Sequence, residues 1–292
     1  MSIIAISRGT FTGGEALAKA VADRLGYRCL SRETNLEEAA AMYGVPAADL
    51  AVAMEKRPSF WLRMFGERTA HLACVRASLC EHAKADNLVY HGLVGHLLLP
   101  GISHVIRVRV IADMDYRIKV AREQQELGAT EALAYIEKVD KERRQWIRFL
   151  FDVEWDDPNL YDVVLNVSRV SLDTACEIVA RLTEQDGFKP TTESLRGMEN
   201  LTLASRVSAK LAVDPRTRDV EMKVVAEDGI VTISGETRFP GVSEALQTVA
   251  RQVDGVTDVR SKVVCVSDRP EHITPSSARV RDSLRRTGSA SR

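Results

Sequence analysis

The chain has 292 residues, 45% of them hydrophobic and 28% charged, with a formal net charge of −1. That length suits one large domain plus one small one, with enough apolar material for both cores. Balanced charge gives no footprint for nucleic acid or an anionic membrane, and no apolar stretch is long enough to span a bilayer.

The N-terminus lacks a basic region, a long apolar segment and a cleavage site, so a cytoplasmic protein is expected. Five cysteines (Cys29, Cys74, Cys80, Cys176, Cys265) are scattered, mostly in apolar segments, without zinc or disulfide spacing. Buried free thiols are expected.

Ile3 to Ser7 predicts a strand, Arg8 to Gly14 a glycine- and hydroxyl-rich loop, and Glu15 to Leu25 a helix stopped by Gly26. Tyr27 to Leu30 is a second strand. Helical patterns follow over Leu36–Tyr43, Pro46–Met54, a segment around Phe60-Trp61, and Glu67–Ala85. Leu88-Val89-Tyr90 reads as a third strand and His104 to Ile111 as an alternating fourth. Asp113 can cap a helix over Tyr116–Leu127, and a long charged helix covers Thr130 to about Phe149. Tyr161–Leu165 and Leu172–Thr183 supply a fifth strand and a closing helix. Alternating strands and helices predict an α/β fold, a parallel sheet with helices on both faces, whose ligands bind at the carboxyl ends of the strands.

Residues 186–199 are rich in Gly, Pro, Thr and Ser and read as a linker. Beyond it come helix Leu201–Leu211, strand Val220–Val225, an acidic turn ending in Gly229, strand Ile230–Ser234, helix Val242–Val253 and strand Val256–Val266. This predicts a small α+β domain over 200–267. The tail, 268–292, is poor in apolar residues and rich in arginine, so a disordered basic tail is expected.

A strand, a glycine loop and a helix N-terminus form an anion trap, because free N–H groups and the positive end of the helix dipole converge there. Thr12, Gly13, Gly14 and Glu15 are the candidate phosphate-binding residues; two glycines let the backbone approach closely. The Lys-Ser/Thr pair of a P-loop is missing after Gly13. Arg8 either replaces that charge in catalysis or forms a salt bridge with Glu15 or Glu33. On the long helix Asp140, Arg144 and Arg148 share a face, with Arg143 beside them. That face is either a lid over phosphates or a solvated surface of ion pairs. Asp140 orients an arginine, approaches Mg²⁺ through water, or serves as a cap or ion-pair partner. His91 and His96 read as local hydrogen-bonding residues, and no protein-built metal site is expected. Phe60-Trp61 and Trp155 either stack on a base or pack in a core.

Ile4-Ala5-Ile6-Ser7-Arg8, Thr12-Gly13-Gly14-Glu15 and Leu25-Gly26-Tyr27 resemble the cytidylate kinase-like family, a branch of the P-loop nucleoside monophosphate kinases. So do Ser31-Arg32-Glu33, Asp115-Tyr116-Arg117-Ile118, Ile136 through Arg144, Asp156-Asp157-Pro158 and Tyr161 through Asn166. The resemblance covers 1–185. It implies a transferase that binds ATP and Mg²⁺ and passes a phosphoryl group to a pyrimidine nucleoside monophosphate such as CMP. It also implies that Arg143 and Arg144 are lid arginines, with Arg117 and Arg122 behind them. His91-Gly92 stands where relatives tend to have Gly-Arg. Residues 200–266, through Gly229–Gly235 and Val253–Val259, resemble a BON domain, a module common in bacterial envelope and stress proteins. That likeness implies a phospholipid, small-ligand or protein partner. The missing lysine leaves a second reading open, in which a catalytically silent nucleotide-sensing domain regulates the BON module.

Overall fold

A computed structural model describes residues 2–55, 63–239 and 241–266. Phe60-Trp61 and the expected tail lie outside the described residues. The chain divides into two compact units, Met1–Thr34 with Ala85–Ser194, and Asn35–Lys84 with Leu195–Arg292.

The first unit holds β1 (Ile3–Arg8), α1 (Gly14–Leu25) and β2 (Arg28–Ser31). The helices α2 (Arg32–Tyr43), α3 (Ala47–Glu55) and α4 (Arg63–Lys84) follow in sequence. The first unit then resumes with β3 (Leu88–Gly92), α5 (Gly95–Leu98), β4 (Val105–Ile111), α6 (Met114–Gln125), α7 (Ala129–Phe151), β5 (Val163–Asn166) and α8 (Leu172–Leu182). Its strands form one sheet in the order β2-β3-β1-β4-β5, and every pair is parallel. The expected α/β fold with a parallel sheet is therefore present.

β1 is central because Ile3, Ile4, Ala5 and Ile6 are all almost wholly buried, the uninterrupted apolar run that a strand covered on both faces needs. Against it pack Leu17, Ala18, Val21 and Ala22 of α1, and Ala175, Cys176 and Val179 of α8. α1 stops where expected: Gly26 adopts φ 66°, and its N–H bonds the Ala22 carbonyl. β1 pairs with β3 on one side and β4 on the other, so the chain order switches at its carboxyl end. A crevice opens at such a point in a parallel sheet.

The second unit carries α9 (Thr192–Val213), β6 (Lys223–Glu227), β7 (Ile230–Thr237), α10 (Val242–Ala250) and β8 (Asp258–Cys265). β6 and β7 form the expected hairpin, turning through Asp228 (φ 49°) and Gly229 (φ 85°). β8 returns parallel to β7 after α10. The core is Val207, Leu211, Val231, Ile233, Leu246 and Val249.

Two expectations differ from the fold. The stretch 186–199 is not loose throughout: Asp186–Phe188 is a 3₁₀ turn and α9 begins at Thr192. Thr191 and Ser194 bond reciprocally there, and a Ser–Thr composition that suggests a linker is also the chemistry of a helix start. Second, the sequence groups everything up to residue 185 together, whereas α4 belongs to the unit that holds α9. Glu81 of α4 accepts two hydrogen bonds from Arg206, and Cys80 Sγ lies 3.6 Å from Ser205 Oγ. The five cysteines are free thiols; Cys74, Cys80 and Cys176 are buried as expected, but Cys29 and Cys265 are exposed.

Candidate functional site

The loop between β1 and α1 is built to turn sharply. Gly13, the N-cap of α1, has φ 72°, a conformation that costs glycine nothing. A Cβ on Gly14 would stand 2.5 Å from Arg8 Cβ, so only glycine lets the helix start so close to the strand. Phe11 has φ 56°, unfavourable for a side-chain residue. Its ring compensates by packing against Ala121, Ala132 and Ile136, and lies 6.0 Å from Tyr135.

Thr10 ties the loop to α6 and α7. Its hydroxyl donates to Asp140 Oδ1 at 2.9 Å and accepts from Arg143 Nη1 at 2.9 Å, while its carbonyl accepts from Arg117 Nε at 2.7 Å. Arg117 Nη2 also donates to Asp140 Oδ2 at 2.7 Å, with both side chains largely buried. A buried ion pair is tolerable only when its remaining polar atoms are satisfied, and Thr10 does that. Asp140 thus takes the arginine-orienting, ion-pair role.

Each remaining expected residue has a definite place. Arg8 Nη2 faces Glu33 at 3.4 Å, while Glu15 pairs with Lys19 at 2.8 Å; of the two partners considered for Arg8, Glu33 is the one found. The Lys19 hydrogen bond holds the Glu15 carboxyl below its usual range. Thr12 Oγ1 spends its single proton on the Gly9 carbonyl at 3.0 Å, closing the loop. Arg144 Nη1 lies 3.5 Å from Asp156, and Arg148 pairs with Glu154. Arg122, in the last turn of α6, forms no hydrogen bond or ion pair with the loop among the described residues; with Lys119, Glu123 and Glu126 it lines a surface depression.

His91 and His96 differ from expectation. Both are buried, and His91 Nδ1 and both His96 nitrogens have no hydrogen-bond partner among the described residues. Burial, assisted by Arg8, lowers His91 to about 4; burial, assisted by Arg109 and Arg107, lowers His96 to about 3. Both are neutral at pH 7. His96 packs on the Tyr161 ring at 4.8 Å. A Cβ on Gly92 would lie 2.8 Å from Tyr90 Oη and 3.0 Å from Arg32 Cβ, so this position has no space for an arginine.

Residue types alone gave no role to Thr10, Ser7 or Arg109. Arg109 is 5% exposed, stacked on Trp155 with Cζ 3.6 Å from the ring centroid, and bonded to Ser7 Oγ and Asp156. Trp155 is accordingly a core residue. The available signal was an arginine inside an apolar strand, a residue type seldom buried without a reason.

Glycine loop, helix N-terminus and the Arg143 end of the Thr10 junction thus meet beyond the carboxyl end of β1. A family model described as the cytidylate kinase-like family matches residues 3–169. The chain belongs to that family. A BON domain model matches residues 200–267. A cytidylate kinase of Ignicoccus hospitalis is 24% identical over 184 residues, covering 62% of this chain and 99% of the relative. Among solved structures, an uncharacterized protein from Eubacterium ventriosum is 22% identical, covering 63% of this chain and 99% of its own, with a TM-score of 0.48. A shikimate kinase from Bacteroides thetaiotaomicron is 12% identical with the same coverages and a TM-score of 0.41. As a member of the cytidylate kinase-like family the chain has a kinase-like nucleotide-binding fold. No helix among the described residues is long and apolar enough to cross a membrane.

Proposed function

We propose that the chain is an ATP-dependent phosphotransferase whose acceptor is a pyrimidine nucleoside monophosphate such as CMP, working in the cytoplasm. The observation that carries this reading is the Thr10 junction, which holds Arg143 directly against the phosphate-binding loop. The backbone N–H groups from Thr12 to Glu15, at the positive end of α1, receive the ATP phosphates. Arg143 and Arg144 neutralise charge that develops on the transferring phosphoryl group, and Arg8, on leaving its partly exposed pair with Glu33, substitutes for the absent loop lysine. Asp140 and Arg117 fix the loop instead of touching the nucleotide, and Arg122 adds positive potential from α6.

The Mg²⁺ enters as part of the MgATP substrate. Both Asp140 oxygens already accept from Thr10 and Arg117, and the Thr12 proton is committed. The Asp140 oxygens are engaged in holding the loop, and no group of three or more His, Cys, Asp or Glu that could hold a metal occurs among the described residues. A Mg²⁺ held by substrate phosphates needs few protein ligands.

The test is ADP formation from MgATP with CMP, dCMP, UMP, AMP or GMP. CMP-dependent turnover is expected, and Arg143→Ala/Arg144→Ala should lower kcat by about 10²–10³-fold, the scale of lost transition-state charge stabilisation. Equal turnover in the variant would remove the lid assignment.

One feature favours a second reading. Gly14-Glu15 stand where a P-loop carries Lys-Ser/Thr, and Glu15 is paired with Lys19. In that reading the domain senses nucleotide without turnover and regulates the BON module at 200–267 in its contact with phospholipid, a small ligand or a protein. Absence of ADP, with a Tm raised by ATP and a partner affinity altered by it, would select this reading.

A further inference from the structure

Arg109 is a built cation. One face of its guanidinium lies on Trp155, and Nη1 donates to Ser7 Oγ at 3.3 Å. Ser7 Oγ also accepts from Trp155 Nε1 at 3.1 Å and donates to the Leu93 carbonyl at 3.2 Å. The hydroxyl is therefore saturated, and the plane of Arg109 is fixed by two partners that are themselves fixed. Its Nη2 edge meets Asp156 Oδ1 at 3.0 Å, and the other oxygen of that carboxylate lies 3.5 Å from Arg144 Nη1 on α7. One carboxylate thus bridges two guanidinium groups from different elements, contacting one nitrogen of each.

We infer that Arg109 and Arg144 form a binding site for a phosphate-class oxyanion, and that Asp156 is its internal occupant. A guanidinium presents several N–H donors suited to a carboxylate or phosphate, and Asp156 meets one nitrogen of each arginine while Ser7 holds Nη1 of Arg109. A tetrahedral anion presents enough oxygens to engage both. Asp156 has a side chain 57% exposed, so the ion pair it must surrender is a weak one. Arg109 by contrast is buried and stays in place whether or not Asp156 does. The site adjoins Ser7, which precedes the phosphate loop, and it shares Arg144 with the proposed lid. It rests on the phosphotransferase reading only for the origin of the anion, a nucleoside monophosphate or free phosphate.

The experiment is calorimetric titration of the full chain with inorganic phosphate at constant ionic strength, and separately with CMP. Asp156→Asn removes the competitor and should tighten phosphate binding by about two- to fivefold, the factor held by a half-exposed ion pair. Asp157→Asn makes the same charge change beside it without touching either arginine, and should leave affinity unchanged. Arg109→Lys keeps the charge but loses the fork, and should weaken binding by about tenfold or more. If CMP follows the same pattern, the anion is the monophosphate; if phosphate alone does, it is the free ion. Asp156→Asn binding no tighter than Asp157→Asn would overturn the site, even with normal ATP turnover. Absent turnover with this pattern intact would instead remove the phosphotransferase reading and leave the site standing.

Discussion

His96 shows how a single side chain couples this fold to pH. Its unfolded imidazole titrates at about 6.5 and its folded one at about 3, because burial and the neighbouring arginines disfavour the charged form. Between those values the unfolded chain holds a proton that the folded chain does not. Stability is therefore complete above pH 6.5 and falls as pH drops, by about 1.4 kcal/mol per unit for one histidine. His91, lowered to about 4, adds in the same direction. Urea melts at pH 7.5, 6 and 5 should show this loss, and His96→Leu should flatten it by one proton's share. An equally steep slope in the variant would show that the proton is taken up elsewhere. The sequence made both histidines visible but not their burial, because what surrounds a side chain is a property of space.

At the scale of elements, the strand–loop–helix start was legible because local chemistry fixes it. Gly13 sits at φ 72°, and Gly26 caps the helix as its type suggests. Gly14 tests how much the close approach matters. Gly14→Ala places a methyl 2.5 Å from Arg8 Cβ, backed by the strand, so it should destabilise by about 1–3 kcal/mol. It should also abolish any rise in Tm with ATP, since the loop must shift where phosphates would sit. A variant that melts like the parent and is still stabilised by ATP would mean the loop yields freely. The role of α7 was less legible. Its charged face reads equally as lid or solvated surface, and its arginines part company in the structure: Arg143 turns to Thr10, while Arg148 pairs with exposed Glu154. Helical spacing says which residues share a face, but not what that face meets.

At the scale of the whole molecule, the family match and the compact units have different boundaries. The cytidylate kinase-like segment is continuous over 3–169, yet residues 35–84 within it belong to the unit that contains the BON match. A chain ending at residue 190 would lose α9, and with it the Arg206 partner of Glu81 and the Ser205 contact of Cys80. Its Tm should fall by roughly 4–8 °C, as expected for the loss of about 2 kcal/mol in a domain of this size. Thermal melts with light scattering check this; an unchanged Tm and a monodisperse sample would mean that 35–84 stands without α9. The sequence by itself determined the order of strands and helices, the parallel sheet, the turning glycines and the small C-terminal α+β fold. Hydrophobic period and backbone preference act within a few residues of one another. Only the tertiary structure decided that Asp140 holds Thr10 across 130 residues, that Arg109 rests on Trp155 beside Ser7, and that α4 shares a unit with α9. Those pairings depend on which surfaces meet after the sheet closes, and no local pattern in the chain encodes that distance.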